Sequence, residues 1–103
     1  MKLNNYMDIA LLEAKKAALR GEVPVGAVLV DQYSQVIAKD GNRTIELNDP
    51  TAHAEILVIR KACLLAKNQR LYKFSLYVTL EPCPMCASAI SNARISKLYF
   101  GPE

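Results

Sequence analysis

The stretch "SLYVTLEPCPMCASAISNARISKLYFG", Ser75–Gly101, contains the patterns of a strand, a helix and a second strand in succession. "SLYVTL" and "ISKLYFG" are rich in apolar and aromatic residues, which is typical of strands. The segment from Cys83 to about Asn92 predicts a short helix, and prolines suit its start because the first N–H groups of a helix have no partner within it. Two strands joined through a helix predict parallel pairing with a right-handed crossover.

The segments before this stretch predict a helix, a hairpin and a second helix. Residues 4–20 have apolar side chains at helical spacing, and Gly21 can end that helix. The predicted apolar face consists of Met7, Ala10, Leu11, Ala14, Ala17 and Ala18. "VPVGAVLVD" and "QVIAK" predict two strands joined by the turn "DQYS". After the polar loop "DGNRTIELNDP", a second helix is predicted from Thr51, whose hydroxyl could cap it, to about Lys67.

The predicted order αββαβαβ indicates an α/β fold with three layers, α/β/α. We expect a mixed sheet with an antiparallel β1–β2 hairpin followed by parallel strands, and helices on both faces. The 103 residues suffice for a single domain, 1–103. In such sheets the ligand site gathers at the carboxyl ends of the strands. Both "HAE" and "PCPMC" are expected there, at the starts of helices.

Composition excludes several classes. Apolar residues make up 51% and charged residues 22% of the chain, which is typical of a globular protein rather than a disordered one. No apolar run approaches the roughly 20 residues of a membrane span. The first residues lack the pattern of a signal peptide, so we expect a cytoplasmic protein. The net charge of +3 is compatible with a nucleic-acid partner.

Cysteine usage points to metal binding or catalysis. Three is an odd number of cysteines, and in a reducing compartment they are not expected to form a disulfide framework. Cys83 and Cys86 share one face of the predicted helix start, where the thiolate is favoured. Taken alone, the pair is compatible with a redox couple, half of a metal site or core packing. Cys63, on the face of the second helix that carries Ile56, is interpreted as a core residue.

The only histidine changes the balance among these readings. His53 with Cys83 and Cys86 supplies three zinc ligands, and no second CxxC is present to close a structural site. Three protein ligands leave the fourth position for water, as in catalytic zinc sites. Glu55, two residues after His53, could accept a proton from that water. These residue types predict a hydrolytic site without specifying a substrate.

The pattern H-x-E…P-C-x-x-C resembles that of the zinc nucleobase deaminases. "HAE" and "PCPMC" match it fully, and the chain resembles the cytidine deaminase-like superfamily, more narrowly the bacterial tRNA-specific adenosine deaminases. The similarity extends through "EVPVGAVLV", "GNR", "DPTAHAEI", "TLEPCPMCASAI" and "ARISKLYFG". The family continues past its fourth strand with another strand and helices, so the resemblance implies a C-terminally shortened form of its fold.

The resemblance assigns a role to each matching residue. It implies one zinc ion per subunit on His53, Cys83 and Cys86, with Glu55 as the catalytic proton shuttle. It implies substrate contacts through Asn42 with the nucleoside, Val23, Pro24 and Val25 near the base, Glu22 at the pocket entrance, the N–H of Ala54 and the carbonyl of Glu81. The implied reaction is hydrolytic deamination of adenosine to inosine at the wobble position of a tRNA anticodon, with zinc-activated water attacking C6. The family also implies a homodimer.

Two alternatives remain open from the sequence. One is a free-base deaminase, for guanine or cytosine, with the same zinc chemistry. The other is a zinc-stabilised fold without catalytic activity. Five basic residues around the second helix and its exit predict either a solvated surface or an RNA contact: Arg60, Lys61, Lys67, Arg70 and Lys73.

Overall fold

The protein is described by a computed structural model that covers residues 5–101. Its elements, in chain order, are α1 (Tyr6–Leu19), β1 (Gly26–Val30), β2 (Val36–Gly41), α2 (Ala54–Ala66), β3 (Ser75–Val78), α3 (Pro84–Asn92) and β4 (Lys97–Phe100). This is the predicted αββαβαβ order. β1, β3 and β4 are shorter than their predicted runs, whereas β2 extends through Asp40 and Gly41, which were predicted to begin the loop. No helix in the described part of the chain has the length and apolar character needed to cross a membrane.

The four strands form one mixed sheet in the order β2-β1-β3-β4. β1 pairs antiparallel with β2, which confirms the predicted hairpin, and β3 pairs parallel with β4. β1 also pairs antiparallel with β3. Consequently β2, β3 and β4 all run in one direction, and β1 lies among them in the other. The crossover through α2 therefore joins two strands that are parallel but not adjacent.

Helices cover both faces of the sheet, as predicted. Along β1 the side chains alternate between the two faces. Ala27 and Leu29 pack in the larger apolar cluster with residues of α2 and α3, such as Val58 and Ile90. Val28 and Val30 pack in a smaller cluster with Ala10 of α1. The strand at the heart of the fold is thus buried on both sides, while β4, at one edge, has four exposed residues.

The first helix is rotated relative to the predicted apolar face. Ala10, Ala14 and Ala17 are buried, but Leu11 is 48% exposed and Ala18 is exposed. Glu13 is buried instead, with its carboxylate 3.3 Å from the ammonium of Lys16. The helix begins at Tyr6, where the side chain of Asn5 caps it, and the predicted start at residue 4 lies outside the described residues.

Two glycines explain this rotation, because they let α1 approach the sheet at backbone distance. A Cβ added to Gly26 would lie 2.0 Å from the carbonyl oxygen of Ala10 and 2.5 Å from the backbone nitrogen of Ala14. A Cβ added to Gly41 would lie 2.6 Å from the carbonyl oxygen of Glu13. The helix face that can come this close is the one made of small residues, so the larger Leu11 turns away.

The N-cap of the second helix lies two residues later than predicted, and its first helical residue is Ala54. Its N-cap residue is His53, and the side chain of His53 makes no capping hydrogen bond. Thr51, the predicted cap, instead donates its hydroxyl hydrogen to Asp49 at 2.6 Å. Thr51 therefore stabilises the loop before the helix. The N-cap position is occupied by His53, whose side chain does not cap the helix.

A buried ion pair network closes the end of β2. The carboxylate of Asp40, only 3% exposed, accepts hydrogen bonds from Arg43 at 2.8 Å and Lys61 at 3.0 Å, and from the backbone N–H of Gly41. Burial by itself would raise the pKa of Asp40, but the bonds from Lys61 and Arg43 outweigh it, so the pKa lies below its ordinary value. Because Lys61 belongs to α2, the network ties that helix to the loop after β2.

We expect Asp40→Asn to reduce the free energy of unfolding by about 2 kcal/mol at pH 7, because it removes the charge that pairs with two cations. A depressed folded-state pKa stabilises the protein above the unfolded-state pKa, near 4, and this contribution disappears as the pH falls through the folded-state value. The difference between wild type and variant should therefore shrink between pH 5 and pH 2 in urea unfolding. The exposed Asp8→Asn serves as control, and a difference that does not change with pH would contradict the electrostatic origin.

Candidate metal centre and active site

Three side chains converge at the ends of two helices, as the sequence predicts. The Nδ1 atom of His53 lies 3.7 Å from the sulfur of Cys83 and 3.5 Å from the sulfur of Cys86. The three donor atoms all lie within 4.8 Å of one another. Tetrahedral zinc with ordinary Zn–S and Zn–N bonds requires N···S separations of about 3.6 Å. The donors present therefore fit a zinc ion.

Local structure explains this convergence. His53 is the N-cap residue of α2, and Cys83 is the N-cap residue of α3, with Pro84 following as the first helical residue. Cys86 is three positions after Cys83 and lies on the same face of α3. Both helices thus direct their N-terminal ends, which carry partial positive charge, toward the same point, and this favours thiolates there.

The Cys86 thiol is fully buried. Burial, and secondarily the nearby carboxylate of Glu55, raise its pKa well above the ordinary value. A thiol in this environment forms a thiolate only when a cation compensates the charge, which fits the role of a metal ligand.

Glu55 lies in the first turn of α2 and is 4% exposed. Burial is the main influence on this carboxyl group and raises its pKa, while its own backbone N–H, His53 and Cys86 act in the opposite direction. A carboxyl group with a raised pKa exchanges protons more readily near neutral pH, as general acid–base catalysis requires.

A cavity of about 430 Å³ opens beside the donor atoms, which is large enough for a small ligand. Its lining consists of Val23, Val25, Asn42, Thr44, Pro50, His53, Glu55, Leu80, Glu81 and Cys83. Four of the predicted substrate contacts therefore share one cavity with the metal site. The sequence interpretation missed Thr44, Pro50 and Leu80, although Leu80 stands within the cysteine motif itself.

Asn42 is held rigidly at the wall of this cavity. Its backbone N–H donates to the carbonyl oxygen of Val25, and its own carbonyl oxygen accepts from Arg20. Its side-chain oxygen accepts from the N–H of Ala54 at 2.8 Å. The side-chain NH₂ group has no hydrogen-bond partner among residues 5–101, and so it is available to a ligand.

Three of the predicted substrate contacts do not line the cavity. Ala54 is fully buried and its N–H is bonded to Asn42, so that N–H is not open to a base edge in this structure. Pro24 is exposed beyond the lining. Glu22 is buried and accepts hydrogen bonds from the backbone N–H groups of Ile45 and Glu46 at 3.1 and 2.9 Å.

Glu22 thus supports the loop that carries Thr44 into the cavity. Burial alone would raise the pKa of Glu22, but the backbone hydrogen bonds from Glu46 and Ile45 outweigh it and hold the pKa below its ordinary value. The loop depends on this ionised carboxylate. The sequence contained no signal for the pairing, because the partners are backbone groups more than 20 positions away.

Comparison with known proteins identifies the family to which the chain belongs. The sequence model described as the cytidine and deoxycytidylate deaminase zinc-binding region matches residues 1–102. The chain belongs to this zinc-binding deaminase family. Zinc is the metal of this family, and His53, Cys83 and Cys86 form a group with the donors to hold a metal ion.

Several deaminases resemble the chain closely. A tRNA-specific adenosine deaminase of Agrobacterium fabrum is 60% identical over 99 residues, and the chain spans 64% of that relative's length. A solved structure from work on A-to-I editing by tRNA:A34 deaminases is 61% identical with a TM-score of 0.91, over 93% of this chain and 73% of that one. A guanine deaminase of Bacillus subtilis is 38% identical with a TM-score of 0.92, over 100% of this chain and 66% of that one.

Proposed function

We propose that this protein is a zinc-dependent hydrolase that deaminates adenosine to inosine at wobble position 34 of a tRNA anticodon. The observation that carries the proposal is a cavity beside the three metal donors that is lined by two of them, by the buried carboxyl group of Glu55 and by Asn42. Relatives named tRNA-specific adenosine deaminase, at 60% and 52% identity, and a tRNA(adenine(34)) deaminase of Arabidopsis thaliana support the choice of substrate.

In this proposal His53, Cys83 and Cys86 hold the zinc. Zinc in such a site makes water acidic enough to act as a nucleophile near neutral pH. Glu55 takes a proton from the attacking water and delivers protons to the adenine ring and then to the departing amino group. Ammonia leaves and the ring keeps the oxygen, which gives inosine. The buried position of Glu55 keeps bulk water from competing for these protons.

The remaining cavity residues would bind the nucleoside. The apolar side chains of Val23, Val25 and Leu80 can pack against the purine, and the free NH₂ group of Asn42 can donate to the ribose. The backbone carbonyl of Glu81 can accept from the edge of the base. A base in an anticodon loop is already outside a duplex, so it enters such a cavity without the cost of unpairing. We expect this reaction in the cytoplasm.

A free-base deaminase is the second candidate, because the guanine deaminase of Bacillus subtilis has the same fold at 38% identity. The zinc-loaded protein should be incubated in parallel with an anticodon stem–loop carrying adenosine, with guanine and with cytosine, and products analysed by mass spectrometry. We expect inosine from the stem–loop alone. Guanine turnover without inosine formation would contradict the tRNA proposal and support a free-base deaminase. Stoichiometric zinc without any turnover would identify a silent fold.

We also propose a homodimer that forms through the exposed side of α2 that carries Leu64 and Leu65. Leu64 and Leu65 expose 78% and 68% of their surface there. Burying these two leucines contributes about 3 to 6 kcal/mol per subunit before the costs of association. Leu64→Glu with Leu65→Glu should therefore convert the dimer to a monomer in sedimentation velocity. Leu19→Glu on α1, where the leucine is 84% exposed, is the matched control. A wild-type monomer would contradict the proposal.

A further inference from the structure

Two connections at the far end of α2 together carry five cationic side chains. The first, between α2 and β3, contains Lys67, Arg70 and Lys73; the second, after α3, contains Arg94 and leads into Lys97, the first residue of β4. Hydrogen bonds join the two connections. The guanidinium of Arg70 donates to the carbonyl oxygen of Asn92, and the backbone N–H of Lys73 donates to the hydroxyl oxygen of Ser96 at 2.8 Å. The five cations therefore belong to one surface, called here the distal basic surface.

These charges are not neutralised within the part of the chain that the structure describes. None of the five forms an ion pair there, whereas the cations nearer the cavity are paired: Arg20 with Glu46, Arg43 with Asp40 and Glu46, Arg60 with Asp49 and Lys61 with Asp40. The basic cluster expected from the sequence is therefore divided. Arg60 and Lys61 serve the fold, and the other three belong to the distal basic surface, where no ion pair with a described residue neutralises them.

A hollow of about 410 Å³ adjoins this surface, between Lys73 and Lys97. Ser75 and Ser96 line it too, and the Ser96 hydroxyl, which accepts from Lys73, keeps its hydrogen available for donation. Asp31 also lines the hollow, and its carboxylate accepts hydrogen bonds from the backbone N–H groups of Tyr33 and Gln35. Ammonium and hydroxyl donors in this combination are typical of contacts to phosphate oxygens.

We propose that the distal basic surface binds the sugar–phosphate backbone of RNA at a distance from the active site. His53 stands at the start of α2 and Lys67 at its end, so the 13 residues of the helix separate the two by about 20 Å. One nucleoside in the cavity cannot reach that far, but a folded RNA whose loop enters the cavity can. The choice of RNA over another polyanion rests on the proposed function, in which the substrate base belongs to a tRNA.

The salt dependence of RNA binding tests this surface directly. Each lysine that contacts a phosphate contributes about one unit to the slope of log K against log salt. The double variant Lys73→Gln/Lys97→Gln should therefore make this slope less steep by about two units for a whole tRNA, as measured by fluorescence anisotropy. Its control is Lys15→Gln/Lys39→Gln, which removes the same charge from two exposed lysines on α1 and β2. We expect the control to change the slope by less than about half a unit.

A second, shorter RNA distinguishes phosphate contacts at the distal basic surface from the general attraction of RNA to a positively charged protein. An oligomer of the anticodon loop alone should bind the distal double variant and wild type equally, because it is too short to reach both places. Equal slopes for the two double variants on whole tRNA would overturn the proposal and leave only the effect of net charge. If wild type forms no inosine yet the distal variant still lowers the slope, the proposed function fails and the RNA surface stands. If wild type forms inosine but the distal variant leaves the slope unchanged, the proposed function stands and the RNA surface fails.

Discussion

Glu55→Gln is expected to lower kcat for inosine formation by about 10³- to 10⁴-fold while zinc content stays at one ion per chain. Glutamine keeps the volume and a hydrogen-bonding group, but it cannot carry a proton between water and base. Steady-state assays on an anticodon stem–loop, with metal analysis of the same sample, measure both quantities. Because burial disfavours the charged form of Glu55, the variant should be at least as stable as wild type in urea.

Glu13→Gln is a matched control for this experiment. Glu13 is also buried, at 5% exposure, but it lies on α1 and outside the cavity lining. It should keep kcat within about a factor of two, because it touches neither the metal donors nor the substrate cavity. More than about a tenth of wild-type activity in Glu55→Gln would exclude Glu55 as the proton carrier.

Gly26→Ala should reduce the free energy of unfolding by about 3 kcal/mol or more, the largest effect on stability that we expect from one methyl group. The added Cβ would lie 2.0 Å from a carbonyl oxygen and 2.5 Å from a backbone nitrogen of α1. Backbone atoms in the middle of a helix cannot rotate away as a side chain can. The whole helix must lift from the sheet, and the small apolar cluster beneath it opens. Urea unfolding and the near-UV signal of Tyr6 and Tyr77 report this change.

Gly21→Ala separates crowding from backbone strain. Gly21 has a positive φ of 85° and nothing within 4 Å of an added Cβ. It should cost about 1 kcal/mol, the usual penalty for an L-residue in that conformation. If Gly26→Ala cost no more than Gly21→Ala, the close seating of α1 on β1 would not be a determinant of the fold.

The sequence predicted those features that depend on local pattern. The β1–β2 hairpin follows from two apolar runs around a short turn, and the parallel pair β3–β4 follows from the strand–helix–strand pattern. The metal donors were predictable because helix geometry brings Cys83 and Cys86 together, and a lone histidine completes the set. The three-layer arrangement followed from the order of the elements.

Contacts between distant backbone groups were not predictable in this way. The rotation of α1 depends on glycines in two strands that the helix only meets in the folded protein. Glu22 was predicted at the pocket entrance because of its place in a motif, but its carboxylate holds the backbone of a distant loop. The predicted cap at Thr51 was wrong because the loop uses that hydroxyl and the N-cap position belongs to His53.

The ends of α2 and α3 have a consequence for the metal-free protein. Both helices begin at a residue whose side chain makes no capping hydrogen bond, namely His53 and Cys83. The first N–H of α2, that of Ala54, is capped by the side chain of Asn42, and α3 begins at Pro84, which has no N–H. The two positive helix ends face each other. Two thiolates bound to a cation place negative charge between these helix ends and so offset the repulsion. Removal of the metal by a chelator should therefore fray the starts of both helices together. Because His53 and Cys83 also line the cavity, metal binding stabilises the shape of the cavity in addition to supplying its chemistry.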